Sequence, residues 1–220
     1  MNYQTKLKVC GLTQLHQIHE LISMNTDFLG FIFYEKSPRY VLRHLSLEDI
    51  LTINHQGKVG VFVNDNVNKI VEIAEKANLN FIQLHGDEDE NFISELRKKL
   101  NPTIGIIKVI RIDSESALSM KGKSIDRFFS SPRSIQNDIS YILFDTDSKA
   151  FGGTGKQFDW NILNELRIPL PYFLSGGISE ENLNDITILK QKPFAIDINS
   201  KFEIEAGIKD LDRIKNFKMI

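Results

Sequence analysis

The chain has one cysteine, Cys10, which closes the apolar run Leu7-Lys8-Val9-Cys10 and is followed at once by Gly11. A thiol in that position is either a small buried hydrophobe or, if its pKa is lowered, a base or nucleophile. Asp145 closes a second such run, Tyr141 to Asp145. A carboxyl there is either a hydrogen-bonded brace or a general acid kept partly protonated. Asp147 reads as loop and Asp159 as a helix cap before Trp160. Asp197, near the end of Phe194 to Ile198, suits sugar hydroxyls or the orientation of the following loop. Arg39 lies on the proline-stiffened stretch Lys36-Ser37-Pro38-Arg39-Tyr40. It is either a bidentate clamp for a carboxylate or a solvated loop arginine. His85, in Gln83-Leu84-His85-Gly86, is a substrate contact or a satisfied strand-end histidine rather than a catalyst.

Two glycine clusters point to an anion. One is Phe151-Gly152-Gly153-Thr154-Gly155-Lys156; the other is Ser175-Gly176-Gly177-Ile178, just before a helix expected to open at Ser179. Glycine lets backbone N–H groups approach an oxyanion, and a helix N-terminus adds partial positive charge. Asn199 and Ser200 offer further donors after the last apolar run. A small phosphorylated molecule is the expected ligand. His16, His19, His44 and His55 have no metal-ligand spacing, so no metal site is expected.

These residues need a frame that gathers the ends of apolar runs. Eight runs read as strands: 7–10, 28–33, 59–63, 81–85, 104–110, 141–145, 172–175 and 194–198. Most are apolar at consecutive positions, as in parallel strands covered on both faces. Between them lie helical patterns, clearest at Val67 to Ala77, where Val67, Ile70, Val71 and Ala74 form one stripe, and at Glu90 to Leu100. Residues 115–123 and 131–138 also carry helical patterns. Eight strands alternating with about eight helices predict an α/β chain folded as one (β/α)₈ barrel domain over residues 1–220, with a doubly wound open sheet as the rival. In both, ligands bind beyond the carboxyl ends of the strands, where the residues named above fall.

Composition narrows the partners. With 27 basic and 29 acidic side chains among 220 residues, the net charge of -2 gives no electrostatic reason to expect nucleic acid or an anionic membrane. No apolar run approaches the roughly 20 residues of a membrane helix, and the first residues lack the apolar stretch of a secretion signal. One cysteine permits no intrachain disulfide. A cytoplasmic enzyme, monomer or homodimer, is the expectation.

In their order along the chain, KVCGLT, GFIFYEKSPRYV, VGVFVN, IQLHGDE, LFDTDSKAFGGTGKQFDW, LSGGISEENL and FAIDINSKFEIEAGIKD resemble the phosphoribosylanthranilate isomerase family of tryptophan biosynthesis. The resemblance implies a TIM barrel and a cofactor-free Amadori rearrangement of N-(5-phosphoribosyl)anthranilate to the carboxyphenylamino-deoxyribulose phosphate. It puts Cys10 at the general-base position and Asp145 at the general-acid position. Arg39 matches the arginine facing the anthranilate carboxylate. The loops at Gly153 to Gly155 and Gly176 to Gly177, with the loop after the eighth strand, match the phosphate cradle, and His85 and Asp197 fall near the ligand. That last loop departs from the common Ser-Ser-Gly-Val-Glu, reading Asn199-Ser200-Lys201-Phe202-Glu203, so a lysine stands where glycine is usual. A pentose-phosphate epimerase would want metal-binding histidines at strand ends, and only His85 qualifies. An indole-glycerol-phosphate synthase would want lysine and glutamate there, and Lys108 is one candidate. A catalytically silent metabolite-binding barrel would need neither Cys10 nor Asp145.

Overall fold

The computed structural model describes residues 5–112, 138–146 and 158–218. Eight parallel strands close into a barrel: β1 Lys6–Val9, β2 Phe28–Ile32, β3 Lys58–Phe62, β4 Phe81–Leu84, β5 Gly105–Ile112, β6 Tyr141–Thr146, β7 Tyr172–Leu174 and β8 Ala195–Ile198. Closure comes from β1 pairing with β8, Lys8 opposite Asp197. The expected barrel is the observed one, and the open sheet is not.

The consecutive apolar residues of each strand serve two cores. Val59, Val61, Ile107, Val109, Leu143 and Phe173 fill the barrel interior. Their alternates, such as Leu29, Phe31, Ile82, Ile106 and Phe144, pack outward with the helices. Towards the amino ends of the strands the interior is plugged by aromatic rings. Phe28 meets Phe173 edge-on at 5.1 Å between centroids, and Tyr141 stacks on Phe194 at 4.8 Å. Period-two alternation then carries Lys8 and Cys10, Leu143 and Asp145, and Ala195 and Asp197 up the inner wall in turn.

Helices α1 Leu15–Ser23, α2 Leu47–Thr52, α3 Val67–Lys76 and α4 Glu90–Lys99 follow the first four strands, and α5 Leu211–Lys218 follows the eighth. The starts of α2, α3 and α4 are capped locally. Ser46 and Asp49 form a capping box on α2, and Asn66 and Asp89 accept from Asn68 N and Phe92 N at 2.8 Å and 2.9 Å.

The expectation of about eight helices is corrected after β6 and β7, where the described segments Trp160–Glu165 and Leu183–Ile188 are 3₁₀ turns. Ser179 does not cap a helix. Instead Asn182 Oδ1 accepts from Ser179 N at 2.8 Å while its Nδ2 donates to Gly177 O at 2.9 Å. Side-chain bonds of this kind compete with the helical ladder. The helical pattern expected at 115–123, and that at 131–138 except for Asp138, lie outside the described residues.

A small antiparallel hairpin, β9 Glu203–Glu205 and β10 Ile208–Lys209, stands outside the barrel beyond β8. It is fixed to the start of α1. Thr13 Oγ1 donates to Gly207 O at 2.6 Å, Gln17 Nε2 donates to Lys209 O at 2.8 Å, and Lys209 N donates to Gln17 Oε1 at 2.9 Å.

Candidate active site

A pocket open to solvent lies at the carboxyl ends of the strands. Cys10 and Asp145 both line it, 4% and 9% exposed. They come from β1 and β6, which are not neighbours in the barrel.

Cys10 follows the last residue of β1 and belongs to the interior cluster. It has room because β2 carries Gly30 beside it: a Cβ at Gly30 would lie 2.9 Å from Cys10 Sγ. Beneath the thiol, Lys8 is fully buried, and its Nζ donates to Asp197 Oδ1 at 2.8 Å. Burial pushes the Cys10 thiol above its ordinary value, with Lys8 and Lys209 pulling it down and Asp197 adding to the rise.

Asp145 Oδ1 accepts from Thr146 N at 2.8 Å. Its other oxygen faces His85 Nε2 at 3.5 Å. Burial pushes the carboxyl up to about 7; the Thr146 amide opposes, the Asp197 charge adds to the rise, and Lys8 and Arg111 oppose. A carboxyl placed there is largely protonated in mildly acidic water and half so near neutrality, the condition for a general acid. His85 is the reverse: burial first, then Lys8, Arg111 and Lys108, lower its pKa to about 3, so the ring is neutral. Its Nδ1 lies 3.1 Å from Gln83 Nε2. With that amide donating, the ring proton sits on Nε2 and faces Asp145.

The glycines after β7 define another wall. Gly176 and Gly177 both have positive φ, 85° and 74°. A Cβ on Gly176 would lie 2.4 Å from Thr146 Oγ1 and 3.2 Å from Asp145 Oδ1, so no other residue brings this turn so close to the acid. Asn199, Ser200 and Lys201 line the pocket beside them. The lysine in place of glycine needs no left-handed backbone, since Lys201 lies in the 3₁₀ turn Ser200–Phe202 and is not among the described positive-φ residues. Its carbonyl is held by Arg213 Nη1 of α5 at 2.5 Å. Gly153, Thr154 and Gly155 lie outside the described residues.

Arg39 reaches the pocket but is neither solvated nor uncommitted. Its Nε donates to both Glu203 carboxylate oxygens, at 2.9 Å and 3.0 Å, and its Nη2 to Oε2 at 2.6 Å. Glu203 also accepts from buried Lys209 Nζ at 2.6 Å, and Lys209 donates to Asn199 Oδ1 at 2.9 Å. Burial alone would raise the Glu203 carboxyl; Arg39 and Lys209 outweigh it and hold it below the ordinary value. The hairpin thus orients the arginine. Asp197 likewise faces the pocket while tied to Lys8.

Lys108, the synthase candidate, is committed elsewhere. Its Nζ donates to Glu88 Oε2 at 2.9 Å and Gly86 O at 3.0 Å, while Glu88 Oε1 accepts from Asn64 N at 2.8 Å. This brace ties the segments after β3 and β4 to the middle of β5. Sequence reasoning missed Lys8, Gln83, Glu203 and Lys209. Lys8 and Gln83 carried a local signal, each a polar residue inside an apolar strand two residues before a named site residue, Cys10 and His85, and therefore on the same face.

Comparison with known proteins identifies the family. The family model described as N-(5'phosphoribosyl)anthranilate (PRA) isomerase matches residues 7–219. The chain is 38% identical over 215 residues to the N-(5'-phosphoribosyl)anthranilate isomerase of Parabacteroides distasonis, covering 96% of this chain and 90% of that one. Its fold matches the crystal structure of phosphoribosyl anthranilate isomerase from Thermotoga maritima with a TM-score of 0.78 at 31% identity, over 97% of each chain. A structure of phosphoribosyl anthranilate isomerase in complex with reduced 1-(o-carboxyphenylamino)-1-deoxyribulose 5-phosphate matches with a TM-score of 0.76 at 29% identity, covering 98% of this chain and 97% of that one. By sequence along nearly its whole length and by its closed barrel, the chain belongs to the phosphoribosylanthranilate isomerase family.

Proposed function

We propose that this chain rearranges N-(5-phosphoribosyl)anthranilate to 1-(2-carboxyphenylamino)-1-deoxyribulose 5-phosphate, a step of tryptophan biosynthesis, with Asp145 as general acid and Cys10 as general base. The observation that carries the reading is a buried carboxyl whose pKa stands at about 7 and a buried thiol, both lining one pocket from separate strands.

Asp145 gives its proton to the ribose ring oxygen as the C1–O bond breaks, and the anthranilate nitrogen lone pair forms the C1=N⁺ bond. That cation acidifies the C2 proton. Cys10, as thiolate, removes it, and the released electron pair becomes C1=C2 while the nitrogen regains its lone pair. Ketonisation moves one proton onto C1 and releases one from the C2 hydroxyl, which resets the acid and the base. Each proton transfer contributes on the order of 10²–10⁴-fold.

The anchors are assigned to the pocket walls. Gly176, Gly177, Asn199 and Ser200, together with Gly153, Thr154 and Gly155, take the phosphate; Arg39 takes the anthranilate carboxylate. Asp197 and His85 stand between these ends, for the sugar. Holding the substrate at both ends supplies the positioning that two proton transfers require. The phosphorylated, carboxyphenyl-bearing ligand named for the relative's complex supports this division of the pocket.

The test is turnover of freshly made substrate, followed by its anthranilate fluorescence. Wild-type protein is expected to turn over, and Cys10→Ala and Asp145→Asn are each expected to lose about 10²–10⁴-fold in kcat while remaining folded. Wild-type rates in both variants would remove the two roles.

A further inference from the structure

The rearrangement needs a thiolate and a neutral carboxylic acid in one pocket, the inverse of their order in water. Burial answers only half of this. It helps the acid, pushing Asp145 up, and it works against the base, pushing Cys10 up too. Some fixed charge must act on the two groups in opposite senses.

The barrel holds such a charge pair directly under the pocket. Lys8 and Asp197 are register partners across the β1–β8 seam that closes the barrel. Their side chains point inward and bond at 2.8 Å, with the lysine side chain 0% and the aspartate side chain 6% exposed. Lys8 is not among the residues lining the pocket, whereas Cys10, Asp145 and Asp197 are. Lys8 and Cys10 are two residues apart on one strand face, so the ammonium lies on the sulfur's side of the barrel interior, where the two charges attract. We infer that the Lys8–Asp197 pair is a positioning device that turns its ammonium toward Cys10 and its carboxylate charge toward Asp145, so that one buried dipole favours a thiolate base and a neutral acid together. The inference rests on the roles proposed above for Cys10 and Asp145.

The surrounding charges agree with that polarity. On Cys10, Lys8 from β1 acts more strongly than Asp197 from β8, and Lys209 from β10 adds to Lys8. On Asp145 the order is reversed: Asp197 acts more strongly than Lys8, with Arg111 of β5 opposing it. His85, facing Asp145 after β4, is neutral and adds no charge. Burial works against the Lys8 ammonium, but Asp197 and Cys10 outweigh it and hold it above its ordinary value; burial also pushes the Asp197 carboxyl up, against the pull of Lys8 and Lys209.

Cys10 is the one cysteine of the chain, so alkylation by iodoacetamide, a neutral probe, reports its thiolate fraction without a background. At fixed neutral pH, Lys8→Met is expected to slow alkylation by about 10- to 1,000-fold, the equivalent of losing an opposite charge in contact. Asp197→Asn is expected to accelerate it, and to lower the Asp145 midpoint followed by carboxyl carbon NMR. A residue with a merely structural role would not move these two readouts in opposite senses. Removing one partner of a buried pair strains the fold. The double variant Lys8→Met with Asp197→Leu, which leaves no unpaired charge, is therefore the second arm, with alkylation again slower than wild type. Rates within twofold of wild type in every folded variant overturn the inference. Neither readout depends on turnover, so a failure here is separable from a failure of Cys10→Ala or Asp145→Asn to abolish activity.

Discussion

Arg39 enters the pocket with its hydrogen-bonding capacity divided. Glu203 takes Nε and one edge of Nη2, leaving Nη1 and the outer Nη2 proton for the carboxylate proposed as its ligand. The pairing fixes the guanidinium plane before substrate arrives, which lowers the ordering cost of binding. A hydrogen bond between charged groups contributes roughly 1.5–3 kcal/mol. Arg39→Ala is therefore expected to raise KM by about 10- to 100-fold while kcat changes less. Steady-state kinetics check it, and unchanged KM and kcat would reject the carboxylate contact. Neither Glu203 nor Lys209 announced itself as part of this site, because an acid in a loop and a lysine near the chain's end look like ordinary surface residues until the hairpin folds back.

At the scale of elements, the site depends on how adjacent strands share space. Gly30 in β2 is the cavity in which Cys10 sits, with a Cβ there falling 2.9 Å from both Cys10 Cα and Sγ. Gly30→Ala has to displace the thiol or the strand. A displacement near 1 Å costs on the order of 10²-fold in rate, so kcat is expected to fall by about that factor with the fold retained. Circular dichroism together with kcat checks it; full activity would show that the sulfur's place does not depend on this strand pair. The strands themselves were legible to within one or two residues, since runs buried on both faces need apolar residues at every position. The connections after β6 and β7 were not. The stretch from Ser179 carries helical spacing, yet Asn182 binds the backbone at Ser179 and Gly177 and leaves only a 3₁₀ turn.

The whole molecule carries the cost of its acid. A carboxyl with an ordinary value of 3.8 and a folded value of about 7 binds its proton more tightly in the native state. Its stabilising contribution is complete below 3.8 and is lost as pH rises through about 7. The loss amounts to roughly 1.4 kcal/mol per unit between the two values. Asp145→Asn keeps an acceptor for Thr146 N and has no proton to lose. Denaturant unfolding at pH 5 and pH 8 is expected to find the variant gaining on wild type as pH rises, more stable at the higher pH while nearly inactive. A difference between the two proteins that does not change with pH would show that Asp145 is not held protonated by the fold.

The residues themselves determined the consecutively apolar strands, the parallel covered sheet and the placing of Cys10 and Asp145 at strand ends, because these follow from local spacing and from burial on both faces. Tertiary structure alone decided which charges meet. Lys8 and Asp197 are 189 residues apart and become partners only because the eighth strand closes on the first. Arg39 and Glu203, 164 residues apart, meet only because a hairpin beyond the barrel is fastened to the first helix. Electrostatic pairing depends on distance in space, and barrel closure sets that distance.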